Sequence, residues 1–436
     1  MKARICLLGL ALVCSACAAP SLRYKTEINR LSAAGKFREA DERVTAKKNK
    51  LYKKKDAVLF YLDRAVLLHD AQDPAASDEM LASAQAYIDE LYAKSVSASA
   101  GRLLINDLTT PYYAANYERA LTYYYRAQNF LQRGDVSSAA VEARRAVFFL
   151  DHLRADKRKG YNDDPFVQYF ASLVFESVGQ LPDARIARQN AFNAYRRLGG
   201  KLGVSAPEFS VPKNAGELGE VIIFHYNGLL PLKKTQTVQV AWSEAAAMAS
   251  SPQETTDSVS PEVQNALAAG LFGSAVTLSY PVLVPQPFRV ASSFVEAGGQ
   301  RYVTQKVADF AGAAKMDLDE KLPGIWFRTA TRAVAKQVAA AQARQAARSA
   351  ANDDTVGDLA GMFVSALGAA LEKADTRQWF TLPAEVRMTR LFLTPKTQDI
   401  KLLFRDGYGN IIGEHVFENV PVERGGRIYL HHRTAN

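Results

Sequence analysis

Apolar positions between Tyr117 and Leu150 fall in steps of three, four and seven. Tyr117, Ala120, Leu121, Tyr124, Ala127 and Leu131 make one stripe; Val136, Ala139, Ala140, Ala143, Val147 and Leu150 make a second. That spacing predicts two amphipathic helices, each with one face to bury. Gly134 can adopt the left-handed conformation that ends the first, and Asp135 can cap the second. The two read as a tight antiparallel pair, with alanines where the helices approach. Apolar surface is left over, so the pair calls for neighbours stacked upon it.

The skeleton recurs along the first half. Gly134 is followed by Ala139 and Ala146, and Gly179 by Ala184 and Ala191; Gly35 is followed by Ala40, with Lys47 in the third place. Asp70 stands where the glycine would, followed by Ala75 and Ala82. A turn residue with small residues at these offsets is the pattern of a tetratricopeptide (TPR) repeat, here irregularly spaced. Residues 17–200 are therefore expected to form a TPR-like all-α helical solenoid. Pro74 and Asp164-Pro165 supply helix starts inside it.

The period changes after Gly199. A Gly/Pro/Ser-rich linker is expected at 201–219, followed by strands at Glu220–Tyr226, Thr235–Trp242, Val276–Leu283, Phe288–Val295 and Arg301–Val307. A helical insertion at about 314–374 interrupts them. Pro323-Gly324 should break it before one long Ala-rich helix over Ile325–Ser349, and Leu359–Leu371 should supply a second, making a helical hairpin. Strands resume at Glu385–Leu393, Asp399–Arg405, Asn410–Glu418 and Arg427–His432, with Asp406-Gly407 and Gly425-Gly426 as hairpin turns. The expected fold class is α+β: the solenoid, then residues 220–436 as an antiparallel β-rich domain carrying the helical hairpin.

Both ends of the chemistry spectrum are thin. Lys2 and Arg4, the apolar run Ile5–Val13 and Cys14-Ser15-Ala16-Cys17 read as a signal peptide over residues 1–16. Cysteine after Ser-Ala resembles the bacterial lipobox, which implies lipidation of Cys17 and a membrane attachment through that lipid. Ala18 then favours the outer membrane, with the chain facing the periplasm. Cys6, Cys14 and Cys17 are the three cysteines, so no disulfide framework or thiolate site is available once Cys17 is acylated. Losing Lys2 and Arg4 lowers the formal charge from +9 to +7, too mild an excess for a nucleic-acid binder.

The sharpest charge feature is the cluster Lys47, Lys48, Lys50, Lys53, Lys54 and Lys55. It reads either as a solvated face or as a contact for phosphate-bearing lipid or an acidic partner. Tyr112, Tyr113, Tyr117, Tyr123, Tyr124 and Tyr125 read as helix core with hydroxyls at the rim, or as a ligand groove. None of the six histidines sits in a metal-ligand spacing, and His431-His432 reads as an exposed pair. No phosphate loop and no nucleophile elbow is present. No catalytic, cofactor or metal residue is assigned. The block Asp375-Thr376-Arg377-Gln378-Trp379 stands out instead, as an interaction motif or as structure: Asp375 paired with Arg377 or capping a turn, Trp379 packed into the sheet.

Four blocks carry a resemblance: YERALTYYYRAQNFLQRGDVSSAAVEARRA at 117–146, HYNGLLPLKK at 225–234, MDLDEKLPGIWFRTATRAVAK at 316–336 and ADTRQWFTLPAEVR at 374–387. In this order they resemble a functionally uncharacterised proteobacterial family of TPR-containing outer-membrane lipoproteins. The resemblance implies work in the cell envelope and brings no catalytic residues. The expected function is a non-catalytic scaffold for an envelope protein partner. A regulator of the peptidoglycan synthesis machinery is a special case of it, and an envelope-glycan enzyme is the competing class.

Overall fold

The computed structural model describes residues 22–95, 107–155, 161–250, 276–351 and 373–436. Its first half is built of helix hairpins: α1 (Leu22–Ala33) with α2 (Phe37–Ala46), α4 (Ala57–Asp70) with α5 (Pro74–Ser95), α6 (Asn116–Gln132) with α7 (Val136–Ala155), and α8 (Pro165–Ser177) with α9 (Leu181–Leu202). A short α3 (Lys48–Leu51) lies between the first two pairs. Each hairpin turns through one left-handed residue. Gly35, Gly134 and Gly179 have φ of 70°, 75° and 73°, and Gln72 has 60°. In each turn that residue's N–H bonds the carbonyl three back, and the next N–H bonds the carbonyl five back, as in Gly134 to Leu131 and Asp135 to Phe130.

The second hairpin turns at Gln72, two residues beyond the expected Asp70. From Gln72 the offsets of five and twelve fall on Ser77 and Ala84, both fully buried like Ala139, Ala146, Ala184 and Ala191. The same offsets from Gln72, Gly134 and Gly179 thus hold small buried residues. Ala143 is 2% exposed in the seam of its hairpin. Ala143→Leu should overpack it and lower stability by about 1–3 kcal/mol. Urea unfolding of the variant checks this, and an unchanged midpoint would place Ala143 outside the contact.

A sheet runs against these helices. Its strand order is β10 (Arg427–Thr434), β1 (Gly219–Asn227), β7 (Glu385–Leu393), β6 (Gln305–Asp309). All its pairings are antiparallel except β1 with β10, which run parallel from Glu220↔Arg427 to Asn227↔Thr434. β1 is buried along its whole length. Its even positions, Ile222, Phe224 and Tyr226, join the core of the helices, and Val221 and Ile223 join a second core behind. Period two thus splits one strand between two layers. The layer behind is an antiparallel sheet ordered β5 (Gln300–Val303), β4 (Ser292–Ala297), β8 (Lys396–Arg405), β9 (Ile411–Val422).

Several expectations change here. The segment expected as one strand over 301–307 is divided between the two sheets as β5 and β6. Val204, Ala206 and Phe209 of the expected linker pack on the helical core, and that core continues through Trp379 and Met388, so the two halves share it. Pro323 does not break the insertion: it lies within the long α11 (Phe310–Ala351). A proline removes one helical hydrogen bond at a cost of about 3 kcal/mol. Burial of Phe327, Ala330 and Val334 just beyond it offsets that loss. α11 packs on α10 (Trp242–Ser250) and on a ribbon of β2 (Leu232–Val240) with β3 (Val276–Val284), around Ala245, Leu278 and Val334. The second helix expected at 359–371 lies outside the described residues.

Candidate functional site

α4, α6 and α8 form the layer that meets the sheet, which is why they are buried almost all round. Tyr124 of α6 lies against Phe224, and its hydroxyl is 2.8 Å from that of Tyr226. Residues 374–384, without regular secondary structure, then pass as a strap between these helices and the start of β2. Here the singled-out motif comes together.

Arg377, 3% exposed, is the strap's clamp. Its Nε and Nη2 donate to the two oxygens of Asp375 at 2.9 and 2.7 Å. Its Nη1 donates to Asp56 Oδ1 at 2.8 Å and to the Thr110 carbonyl at 2.9 Å. Gln378 donates to the Pro231 carbonyl and accepts the Lys233 N–H, both at 2.7 Å. Trp379 is fully buried, and its backbone N–H donates to Glu118 Oε1 at 3.0 Å. Its ring meets Tyr125 of α6 at 5.9 Å, so it belongs to the helix–sheet core. Glu118 also accepts from the Ala115 N–H and the Tyr112 hydroxyl, so one carboxylate both satisfies a free backbone donor at the start of α6, the glutamate half of a capping box, and anchors the strap. Two more ionisable groups fix the strap. Lys25 donates to the Thr376 carbonyl at 2.7 Å, and burial lowers its ammonium to about 8. Asp63, in reach of Thr381, accepts from the Tyr52 hydroxyl at 2.7 Å and is raised by burial to about 8.

An open concavity lies elsewhere. A cavity of about 1000 Å³ sits between the α1–α2 and α4–α5 turns on one side and the strands β8, β9 and β10 on the other. Gln72 reaches into this joint from its left-handed position, and its Nε2 donates to His431 Nε2 at 2.8 Å. A non-glycine residue there carries about 1–2 kcal/mol of backbone strain, which the other three turns avoid with glycine. His431 stacks on His69 at 4.3 Å, and His432 stacks on His415 at 3.9 Å. Behind them Arg433 and Asp70 form a buried ion pair at 3.5 Å, with burial raising Asp70 to about 7.

Burial drives the imidazoles down: His69 to about 4, His432 to about 3, and His431 well below the usual histidine range. They are neutral at pH 7, and His431 and His432 line the cavity. An unfolded histidine titrates near 6.5, so between that pH and about 4 the unfolded chain binds protons that His69 and His431 refuse. Their contribution to stability is complete above 6.5 and lost as the pH falls towards 4. Imidazole proton shifts of both residues should stay at neutral-form values down to about pH 5. Titration near 6.5 would mean that the stack is open to water.

Among the described residues, no three His, Cys, Asp or Glu side chains are grouped to hold a metal, and no helix is long and apolar enough to cross a membrane. Cys17 lies outside the described residues. The exposed pair expected at His431-His432 is corrected: His431 is buried and His432 half-buried, because β10 is covered there by the α4–α5 turn. Tyr112, Tyr117, Tyr124 and Tyr125 are buried in the core. Sequence reasoning missed Gln72, Glu118, Asp63 and Lys25. Only Gln72 carried a local signal, the small residues Ser77 and Ala84 at the repeat offsets. No protein-family model, no curated protein and no solved structure matches this chain.

Proposed function

We propose that the chain is a cell-envelope lipoprotein of the TPR-containing kind its sequence resembles. It acts as a non-catalytic scaffold for an envelope protein on the periplasmic face of the outer membrane, held by a lipid on Cys17. The carrying observation is where the molecule is closed and where it is open. The inner face of the helix hairpins is filled by the sheet and the strap. Among the described residues, an open cavity is bounded by two hairpin turns and by β9 and β10, each the edge of its sheet. A partner segment entering there meets side chains from both halves of the chain and the backbone of an edge strand, a recurring mode of peptide recognition. A tether strengthens such contacts by raising effective concentration.

Two measurements test the reading. A palmitate analogue should label the wild-type chain in cells and not Cys17→Ser; equal labelling, or none, removes the anchor. A photo-crosslinking residue at Arg38 or Glu414, which line the cavity, should capture one envelope protein that the same residue at Lys201, on the far helix, does not. Capture from all three positions alike would remove the cavity as the docking site.

A further inference from the structure

We infer that the lysine-rich end of the α1–α2 hairpin is a docking surface for anionic phospholipid headgroups, and that it sets how the chain stands on its membrane. The first support is topological. α1 and α2 run antiparallel, with Arg43 in the last turn of α2 reaching Glu27 of α1 at 3.8 Å. The Tyr24 hydroxyl lies 3.4 Å from that of Tyr52. The chain following α2, with Lys47 to Lys54, therefore returns to the end of the hairpin where Leu22 begins α1.

The second support is the charge displayed there. Arg23, Lys48, Lys50, Lys53 and Lys54 are exposed. Lys48 lies over the Phe60 ring at 4.9 Å with its ammonium near the surface, and Lys55 turns inward to the Leu108 carbonyl. Of the nearby carboxylates, Glu27 pairs with Arg43, Asp41 with Arg64, and Asp56 with Arg377 beneath the surface, while Glu42 is exposed against five exposed cations. The end is left with a clear excess of cations. The third support is reach. Five residue steps separate Cys17 from Leu22, a span of at most about 18 Å whatever its conformation. A lipid on Cys17 thus brings this end, before any other, close to the headgroups, where each lysine or arginine adds attraction within about one Debye length.

The arrangement has a consequence for the cavity. The opposite end of the same hairpin, the turn from Gly35 to Glu39, lines it. With the lysine end on the bilayer, the cavity stands one length of α1 away, about 18 Å.

The orientation rests on the anchor reading, but the contact can be tested without the lipid. The mature chain from position 17, carrying Cys17→Ser, should co-sediment at low salt with vesicles of phosphatidylglycerol and phosphatidylethanolamine. It should not do so with phosphatidylcholine alone, and binding should vanish at about 0.5 M salt. Replacing Arg23, Lys50 and Lys54 together by Gln should weaken partition about a hundredfold, roughly fivefold for each cation removed. A control replaces Arg185, Lys201 and Lys213, exposed residues elsewhere on the chain, by Gln; it loses the same charge and should bind within about threefold of the parent. Equal loss in both triples would reduce the effect to net charge and overturn the assignment. So would absence of binding to the anionic vesicles. If the first triple kept its vesicle binding and lost a crosslinked acidic protein instead, the surface would belong to that protein. Failure of Cys17 acylation leaves all of these outcomes unchanged, so the two readings fail separately.

Discussion

Trp379→Ala is expected to lower the unfolding free energy by about 3–5 kcal/mol, the range for removing a large aromatic side chain from a packed core. The indole is fully buried in the core that the helix hairpins share with the sheet, against Tyr125. Its loss leaves a void that α6 and the sheet can close only in part, because both are fixed elsewhere through Tyr124 and Tyr226. The backbone bond from residue 379 to Glu118 survives any replacement, so the effect isolates the side chain. Among the described residues the indole Nε1 has no hydrogen-bond partner. Trp379→Phe should therefore lose ring volume but no bond, and cost less than half as much as alanine. Equilibrium urea unfolding of the mature chain measures both. If alanine costs under about 1 kcal/mol, the strap is not anchored by this ring.

Trp379 also marks how far the sequence could be read. The helix hairpins were legible because their determinants are local: a left-handed glycine, a cap, and small residues within twelve positions. The second hairpin was placed two residues early because Gln72 adopts a conformation that its type rarely takes. The strand positions were legible from period two, and the burial of β1 on both faces is implicit in its unbroken apolar run. Asp406-Gly407 marks β8 and β9 as neighbours, but Gly425-Gly426, expected as a hairpin turn, carries the chain from β9 to β10 in the other sheet, and the remaining pairings were not legible. The parallel pairing of β1 with β10 joins segments about two hundred residues apart, and nothing in Arg427–Thr434 names its partner. That pairing places β10 beneath the α4–α5 turn and buries His431. The fate of the strap is of the same kind. Asp375 beside Arg377 was visible as a pair, but Asp56, Glu118 and Asp63 come from distant helices, and only the fold gives the motif its depth.

Removing Arg377 should be comparably damaging, by a different route. The guanidinium holds the half-buried Asp375 on one side and Asp56 with the Thr110 carbonyl on the other, the Arg377–Asp56 contact lying beneath the surface. Arg377→Ala leaves Asp56 a buried carboxylate without its cation, and breaking a buried pair in this way costs about 3–5 kcal/mol. Arg377→Lys should recover only part of this, because a single ammonium cannot serve three acceptors spread around a planar fork. The double variant Asp56→Asn with Arg377→Met removes both charges together. It should be more stable than Arg377→Ala alone, which separates the cost of an orphaned charge from the worth of the pair. A pH signature accompanies the loss. Burial raises the Asp375 carboxyl, but the Arg377 hydrogen bonds and charge outweigh it and hold it below the usual range. A carboxylate lowered in the folded state contributes stability that is present above its unfolded value, about 3.9, and lost as the pH falls through the folded value. The wild type should therefore lose this contribution on acidification below about pH 4, while Arg377→Ala, which no longer has it, should show a shallower decline there. Equal acid slopes in the two proteins would mean that Asp375 draws its stabilisation from some other cation, and the clamp would have to be assigned elsewhere.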